Sequence, residues 1–414
     1  MEKDILIDLK NRKIFNNISS EEKFYKLPKN SAVYSGFDPT AKSLHLGNYI
    51  QIVSLLRFKK YNFNPIAIIG GITGMIGDPS FRNSEREFLD SKVLEENKAA
   101  VKKQLESFGL KVIDNYDFYR NWTLVDFLTK IGKLINVNYL LEKESIATRL
   151  ASGLSFTEFS YQLIQGWDFK TLFEQNNVKI QLGGSDQWGN ITTGLEIIRK
   201  IHGENANALA ITTNLLVDEN GIKFGKSTGG GSLWLDKNMT SPYAIYQFLL
   251  NQGDNKIEEY LKWLTFLEIS EIDNIMTQHN FDRKQRIAQK SLAYEVVKDI
   301  HSEEIAKHCI QISEALFSKN ADLGMTDIEM LLGFLKVYEV PSNQEKFIDF
   351  IKFSGISSSN REIREFIAKK SFEIDGKVIE DENEIIIFKK YNKKYALLKK
   401  GKKEFIILKN NLDK

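Results

Sequence analysis

Five strings in this 414-residue chain bring together side chains that could do chemistry. The first runs from Tyr34-Ser35-Gly36-Phe37-Asp38-Pro39-Thr40 to His45-Leu46-Gly47-Asn48. Ala32 to Phe37 reads as a strand, Asp38-Pro39-Thr40 breaks it, and the apolar spacing of Leu44, Ile50, Ile52 and Leu55 reads as a helix. A strand feeding a helix across such a turn aims free backbone N–H groups above the strand's end, where they favour a phosphate. The second string, Gly70-Gly71-Ile72-Thr73-Gly74-Met75-Ile76-Gly77-Asp78, follows a strand over Pro65 to Ile69 and lets backbone approach a ligand closely. It has neither the G-x-G-x-x-G spacing of a dinucleotide site nor the Gly-Lys-Ser/Thr of a P-loop.

In the third string, Phe156 to Phe169, Tyr161, Gln165 and Asp168 fall at i, i+4 and i+7 and share one helix face. Set among Phe159, Leu163, Trp167 and Phe169, these polar groups are expected to point into something specific and partly buried. The fourth is a strand, Lys179 to Leu182, ending in Gly183-Gly184-Ser185-Asp186-Gln187. Glycines, an acid and an amide at a strand's carboxyl end suit a nucleotide's ribose. The fifth, Lys223-Phe224-Gly225-Lys226-Ser227 before Gly229-Gly230-Gly231, puts two lysines and a hydroxyl on a glycine hinge. Such a segment can close over a polyphosphate.

The elements that must hold these strings follow from length and composition. A chain of this size, 42% hydrophobic and 27% charged, buries a large core and is expected to form two or three soluble domains. The single cysteine, Cys309, excludes a disulfide framework, and with only His308 beside it lacks zinc-ligand spacing. Charges at Glu2, Lys3 and Asp4 stand where a signal peptide needs an apolar run, and no stretch has the length of a membrane span, so the expected location is cytoplasmic. From Pro341 onward 17 Lys and Arg oppose 12 Asp and Glu, a net +5, against −3 for the preceding residues. That asymmetry points to a separate C-terminal module facing an anion, most simply nucleic acid.

Along the chain, residues 1 to 30 read as a helical lead-in and Lys92 to Gly166 as a helical insertion, longer than one crossover helix needs. Thr240 to Ser318 has helical spacing throughout. Beyond a linker, helices are expected over Phe347 to Phe353 and Ile363 to Ala368, then strands over Phe372 to Val378, Tyr395 to Leu398 and Phe405 to Leu408. The expected division is a catalytic domain at 1–220 with its insertion at about 92–166, a loop and helical domain at 221–325, a linker at 326–344 and a small C-terminal domain at 345–414.

The order of these strings resembles the class I aminoacyl-tRNA synthetases. His45-Leu46-Gly47-Asn48 is similar to their HIGH signature and Lys223-Phe224-Gly225-Lys226-Ser227 to their KMSKS loop, while Tyr34 to Asn48 as a whole resembles the tyrosyl enzymes of bacteria. The resemblance spans nearly the full chain. It implies an α/β fold with a Rossmann-like parallel sheet, a helical domain, and a small α+β RNA-binding domain of the α-L type. It also implies ATP-dependent activation of L-tyrosine, transfer to tRNA(Tyr), a homodimer built on the insertion, and Mg2+ that arrives with ATP rather than in a dedicated protein site.

By the same resemblance, Tyr34 and Asp168 would read the substrate hydroxyl. Gly36, Asp78, Tyr161, Gln165 and Gln187 would complete the amino-acid site. Ser35, Asp38, Gly47, Asn48 and Asp186 would hold the nucleotide; Thr40 and His45 would contact its γ-phosphate. Lys223, Lys226 and Ser227 would hold the β and γ groups, and Arg82 and Arg86 the leaving pyrophosphate. In the C-terminal module Arg361, Lys389, Lys390, Lys393 and Lys394 would meet RNA, with Lys399, Lys400, Lys402 and Lys403 beside them. Two positions depart from the family pattern: Asn48 replaces the second histidine of HIGH, and Phe81-Arg82 replaces a usual Gly-Lys. Tryptophanyl enzymes share the motif order but generally lack the Asp-Pro-Thr string and this C-terminal module. A decayed, non-catalytic binding protein would show damage in the phosphate motifs beyond those two positions.

Overall fold

The computed structural model describes residues 4–78, 90–143, 146–147, 150, 153–224, 231–317, 323–341, 345–402 and 404–411. By contacts the chain divides into two compact units, Met1–Asp236 with Gln252–Leu292, and Lys237–Asn251 with Ala293–Lys414.

The first unit is built on a six-stranded sheet: β1 (Phe15–Ile18), β2 (Ala32–Phe37), β3 (Asn64–Ile69), β4 (Lys111–Asp114), β5 (Val178–Gly184) and β6 (Leu209–Thr213) in the order β1-β6-β5-β2-β3-β4. All neighbours are parallel except β1, which runs antiparallel to β6. The central strands are buried nearly throughout, which is why they read as apolar runs rather than alternating ones. After β2 the chain moves outward through β3 and β4, then returns to lay β5 and β6 on the other side of β2. The strand order therefore switches between β2 and β5, where open α/β sheets form a crevice at their carboxyl ends.

Helices α1 (Leu46–Lys60), α2 (Thr73–Ile76), α3 (Ser91–Ser107), α4 (Phe156–Gln175), α5 (Trp188–His202) and α6 (Ile257–Leu264) position this crevice. Ser155 caps α4 by accepting from Glu158 N at 3.1 Å. Gly166 sets the close crossing of α4 on α5, because a Cβ there would stand 2.9 Å from Ile197 Cδ1 and 3.2 Å from Gly194 N. Helix α1 is anchored at its far end by Arg57, 2% exposed, whose guanidinium donates to the carbonyls of Lys262 (2.9 Å) and Thr265 beyond α6 and lies 3.7 Å from Asp8. Arg12, paired with Asp8 at 2.9 Å, reaches the Leu267 carbonyl at 2.7 Å, so the two guanidiniums share Asp8 and the carbonyls at and beyond the end of α6.

The second unit contains a sheet in the order β7-β11-β10-β8-β9, from β7 (Lys336–Val340), β8 (Phe372–Ile374), β9 (Lys377–Val378), β10 (Tyr395–Lys400) and β11 (Glu404–Asn410). Helices α7 (Phe347–Phe353) and α8 (Asn360–Ala368) contribute Phe347, Phe350, Ile351 and Ile363 to one core with Phe372, Leu398, Ile406 and Leu408 of the sheet. Ser359 caps α8, accepting from Glu362 N at 3.2 Å.

Three stretches differ from the sequence reading. The lead-in is not wholly helical: Phe15–Ile18 is an edge strand, a four-residue F-N-N-I whose conformation is set by pairing with β6. The insertion is not wholly helical either: after α3 it carries β4, too short for its period to show. The stretch expected as a linker carries a helix, Met325–Leu332, and β7, which pairs in parallel with β11 from Lys336 to Val340. Replacing Arg57 with Met leaves Asp8 and the α6 carbonyls short of a donor, and should lower the stability of the first unit by about 3 kcal/mol in urea unfolding.

Candidate active site

A cavity of about 270 Å³ opens at the carboxyl ends of β2 and β5. Its lining joins strings far apart in sequence: Tyr34, Ser35, Gly36, Asp38, Thr40, His45 and Asn48 from the first, Asp78 from the second, Tyr161, Gln165 and Asp168 from α4, and Asp186 and Gln187 after β5. A second cavity of about 390 Å³ shares His45, Asn48 and Asp186 with it and adds Gly47 and Lys223. Arg82, Arg86, Lys226 and Ser227 lie outside the described residues. Arg361, Lys389, Lys390, Lys393 and Lys394 belong to the second unit and are all exposed.

At the floor of the first cavity stands Asp168, 2% exposed. Its Oδ2 accepts from Asn115 Nδ2 at 2.9 Å and its Oδ1 from the Tyr119 hydroxyl at 2.7 Å. Burial pushes its pKa up to about 7; the bonds from Asn115 and Tyr119 pull the other way, while Asp38 and Asp114 add to the rise. Tyr34, on β2, packs its ring against Phe169 at 5.5 Å, and burial with the Asp168 charge nearby holds its phenol pKa well above 10. Three buried polar atoms lining this cavity have no hydrogen-bond partner among the described residues: Tyr34 OH, Gln165 Oε1 and Gln181 Oε1. An orphaned buried group costs about 1–3 kcal/mol, so such a cluster marks a place for a polar ligand.

Near the mouth, Asp78 accepts from Gln187 Nε2 at 2.8 Å and from Asn190 Nδ2 at 3.4 Å, and Asn190 also donates to Gln187 Oε1 at 3.1 Å. Thr73 Oγ1 donates to Asp38 at 3.1 Å. His45 is the N-cap of α1: its Nδ1 accepts from Asn48 N at 3.3 Å while Asn48 Oδ1 accepts from His45 N at 3.1 Å. With Nδ1 accepting, a neutral ring carries its proton on Nε2. A Cβ on Gly47 would lie 2.9 Å from His45 Cε1 and 3.2 Å from the Phe224 carbonyl, so only glycine leaves this ring in place. Lys223 is carried by a bridge to Val217, and its Nζ stands 3.3 Å from Asp186 Oδ2.

The sequence reading missed Asn115 and Tyr119, which hold Asp168 from behind. Asn115 sits directly after β4, so its signal was its place at a strand's carboxyl end, hidden because the strand itself was not seen. Lys399 and Lys400, expected to face RNA, are committed inside their own unit: Lys399 pairs with Glu373 at 3.3 Å, and Lys400 donates to the Ile356 carbonyl at 2.7 Å.

This combination of sheet, switch point and motif order is that of a class I aminoacyl-tRNA synthetase, and residues 26–318 match the family model for class I tRNA synthetases (W and Y). Residues 327–408 match the model of a tyrosine–tRNA ligase SYY-like C-terminal domain. The chain is 54% identical over 408 residues to the tyrosine–tRNA ligase of Mycoplasmopsis synoviae, covering 98% of this chain and 99% of the relative. To that of Mycoplasmopsis pulmonis it is 49% identical, covering 98% of each. A C-terminally truncated mitochondrial tyrosyl-tRNA synthetase of Aspergillus nidulans superposes with a TM-score of 0.69 at 30% identity, over 76% of this chain and 94% of that one. The fold alone is shared with the tryptophanyl-tRNA synthetase of Plasmodium falciparum, TM-score 0.53 at 15% identity over 73% and 84% of the two chains. The chain belongs to the bacterial tyrosine–tRNA ligases, which use ATP to charge tRNA with tyrosine.

Proposed function

We propose that the first cavity takes L-tyrosine and the second the nucleoside of ATP, with His45, Asn48 and Asp186 on their shared wall. The tyrosine carboxylate attacks the α-phosphorus, the Pα–O bond to pyrophosphate breaks, and tyrosyl-adenylate forms; a hydroxyl at the 3' end of tRNA(Tyr) then attacks the carbonyl and AMP leaves. The carboxylate is already ionised and needs no general base. Catalysis therefore rests on in-line positioning and on stabilising phosphate charge.

Tyr34 donates to the substrate hydroxyl and Asp168 accepts from it. The supporting observation is the unpartnered Tyr34 OH above a buried carboxylate, since phenylalanine would leave both without their bond. Asp78, Tyr161 and Gln165 receive the ammonium, Gly36 leaves room beside them, and Gln187 holds the carboxylate and α-phosphate. Ser35, Asn48 and Asp186 hold the ribose, Gly47 admits adenine over α1, and Asp38 orders the turn beside the phosphates. Thr40 and His45 contact the γ-phosphate; Lys223, Lys226 and Ser227 hold the β and γ groups, and Arg82 and Arg86 the departing pyrophosphate. Lys223 must exchange Asp186 for phosphate, at small cost because the pair is solvent-exposed. Mg2+ enters as part of the MgATP substrate.

The C-terminal α+β module binds tRNA through Arg361, Lys389, Lys390, Lys393 and Lys394. In support, Lys389, Lys390 and Lys394 flank, and Lys393 belongs to, a turn in which Tyr391, Asn392 and Lys393 all have left-handed φ, of 48°, 56° and 59°, a strained backbone of the kind kept at functional sites. The working form is a cytoplasmic homodimer. The insertion exposes Leu124 (74%), Val125 (67%), Leu128 (48%), Val137 (56%) and Phe156 (71%), an apolar set that a second copy would cover.

Asp168→Ala should cut tyrosine-dependent exchange of pyrophosphate into ATP by more than tenfold and lower the preference for tyrosine over phenylalanine, with KM for ATP nearly unchanged. An unaltered preference would remove Asp168 from this role. Because a protonated Asp168 donates rather than accepts, KM for tyrosine should rise as pH falls through about 7 and stay flat above it. Replacing Lys389, Lys390, Lys393 and Lys394 with Gln should flatten the salt dependence of tRNA binding, reducing the log–log slope by about 3. Leu128→Glu with Phe156→Glu should sediment as a monomer where the native chain sediments as a dimer.

A further inference from the structure

The floor residue Asp168 is held from outside the cavity. Asn115 and Tyr119 each give one hydrogen bond to a different carboxylate oxygen, and neither lines the cavity. Asn115 is already committed elsewhere: its Oδ1 accepts from Ile72 N at 2.8 Å and its Nδ2 also lies 3.2 Å from Thr73 Oγ1. Tyr119 ends the short helix Tyr116–Tyr119, its ring packed edge-on against Trp122 at 5.5 Å, so the hydroxyl is aimed by a fixed ring.

That hydroxyl has two acceptors, Asp168 Oδ1 at 2.7 Å and the Ile164 carbonyl at 2.8 Å, one turn earlier on α4. A phenol has a single proton, so the two bonds cannot both be donated at once. With Asp168 ionised the proton goes to the carboxylate. With Asp168 protonated, the carboxyl donates to the Tyr119 oxygen and the phenol proton turns to Ile164. The other groups facing Asp168 are Tyr34 on β2, Asp38 just past its end, and Asp114 at the end of β4, itself paired with Lys98 at 2.7 Å. The two acids oppose a charge on Asp168; Asn115 and Tyr119 favour it.

The geometry points to Tyr119 as a positioning residue for amino-acid selection, its hydroxyl fixing the Asp168 carboxylate as a charged acceptor whose remaining lone pairs face the substrate phenol. This rests on the reading of Asp168 and Tyr34 as the phenol's partners. Nothing in the reaction touches Tyr119, so its effect reaches the substrate only through Asp168.

The test is Tyr119→Phe in the full-length chain, which keeps the ring and its packing and removes one donor. In pyrophosphate exchange, KM for tyrosine should rise about tenfold, the tyrosine-to-phenylalanine ratio of kcat/KM should fall by about the same factor, and kcat and KM for ATP should stay within about twofold. The pH midpoint of the tyrosine KM should move about one unit alkaline, because an ionised Asp168 has lost a donor. A merely structural tyrosine would not move that midpoint. Asp168→Ala is measured in parallel. If it leaves the preference for tyrosine intact, the underlying reading of the floor is wrong. If it abolishes the preference while Tyr119→Phe keeps the native tyrosine KM and pH midpoint, the role given to Tyr119 is wrong and the floor stands. Should the phenylalanine variant fold poorly, 3-fluorotyrosine at 119 supplies a stronger donor of nearly the same shape and should move the midpoint in the acid direction; an unmoved midpoint overturns the proposal.

Discussion

A buried carboxylate, drawn toward its neutral form by burial and toward its charged form by two donated hydrogen bonds, is the constraint on which the rest of this site depends. Asp168 lies at the bottom of a crevice between two parallel strands, where burial alone favours its neutral form. Its two donors come from the segment after β4, its neighbour Tyr34 from β2, and Asp168 itself from α4. Three elements must therefore be in register before Asp168, its donors and Tyr34 can meet at one cavity floor. The sheet supplies that register, and Gly166 lets α4 cross close on α5.

The second cavity, which Gly47 and Lys223 line, depends on a different device. A helix start leaves backbone N–H groups unsatisfied, and α1 meets one of them with its own His45. Asn48, in the place where the family pattern has a second histidine, closes the reciprocal half of this capping box by accepting from the His45 backbone. An amide suits that task because it needs no charge. The bond also leaves the His45 proton on Nε2, and Gly47 keeps the ring from being displaced.

Much of this was legible in the sequence because the chemistry is concentrated in contiguous strings at strand ends. Ala32 to Phe37 forms the expected strand to the residue, and the polar stripe of Tyr161, Gln165 and Asp168 does line a cavity. The elements that escaped are those whose conformation is imposed from outside. β1 and β4 have four residues each, too few for a period, and exist because a neighbouring strand is there to pair. Missing β4 hid Asn115 and Tyr119. Pro341 and short polar patches suggested a linker, but Lys336–Val340 is an edge strand whose partner, β11, comes about 70 residues later, beyond the reach of any local pattern. Lysine spacing alone likewise could not separate Lys399 and Lys400, tied to their own unit, from the exposed lysines around the left-handed turn.

In the proposed function, this floor recognises a hydroxyl on an aromatic amino acid, and that recognition is coupled to activation by ATP. The most direct measurement is exchange of labelled pyrophosphate into ATP by the unaltered full-length chain, with tyrosine, phenylalanine and tryptophan supplied separately at pH 8. Tyrosine alone should support rapid exchange. Comparable exchange with phenylalanine or tryptophan would mean that the floor does not select for the hydroxyl.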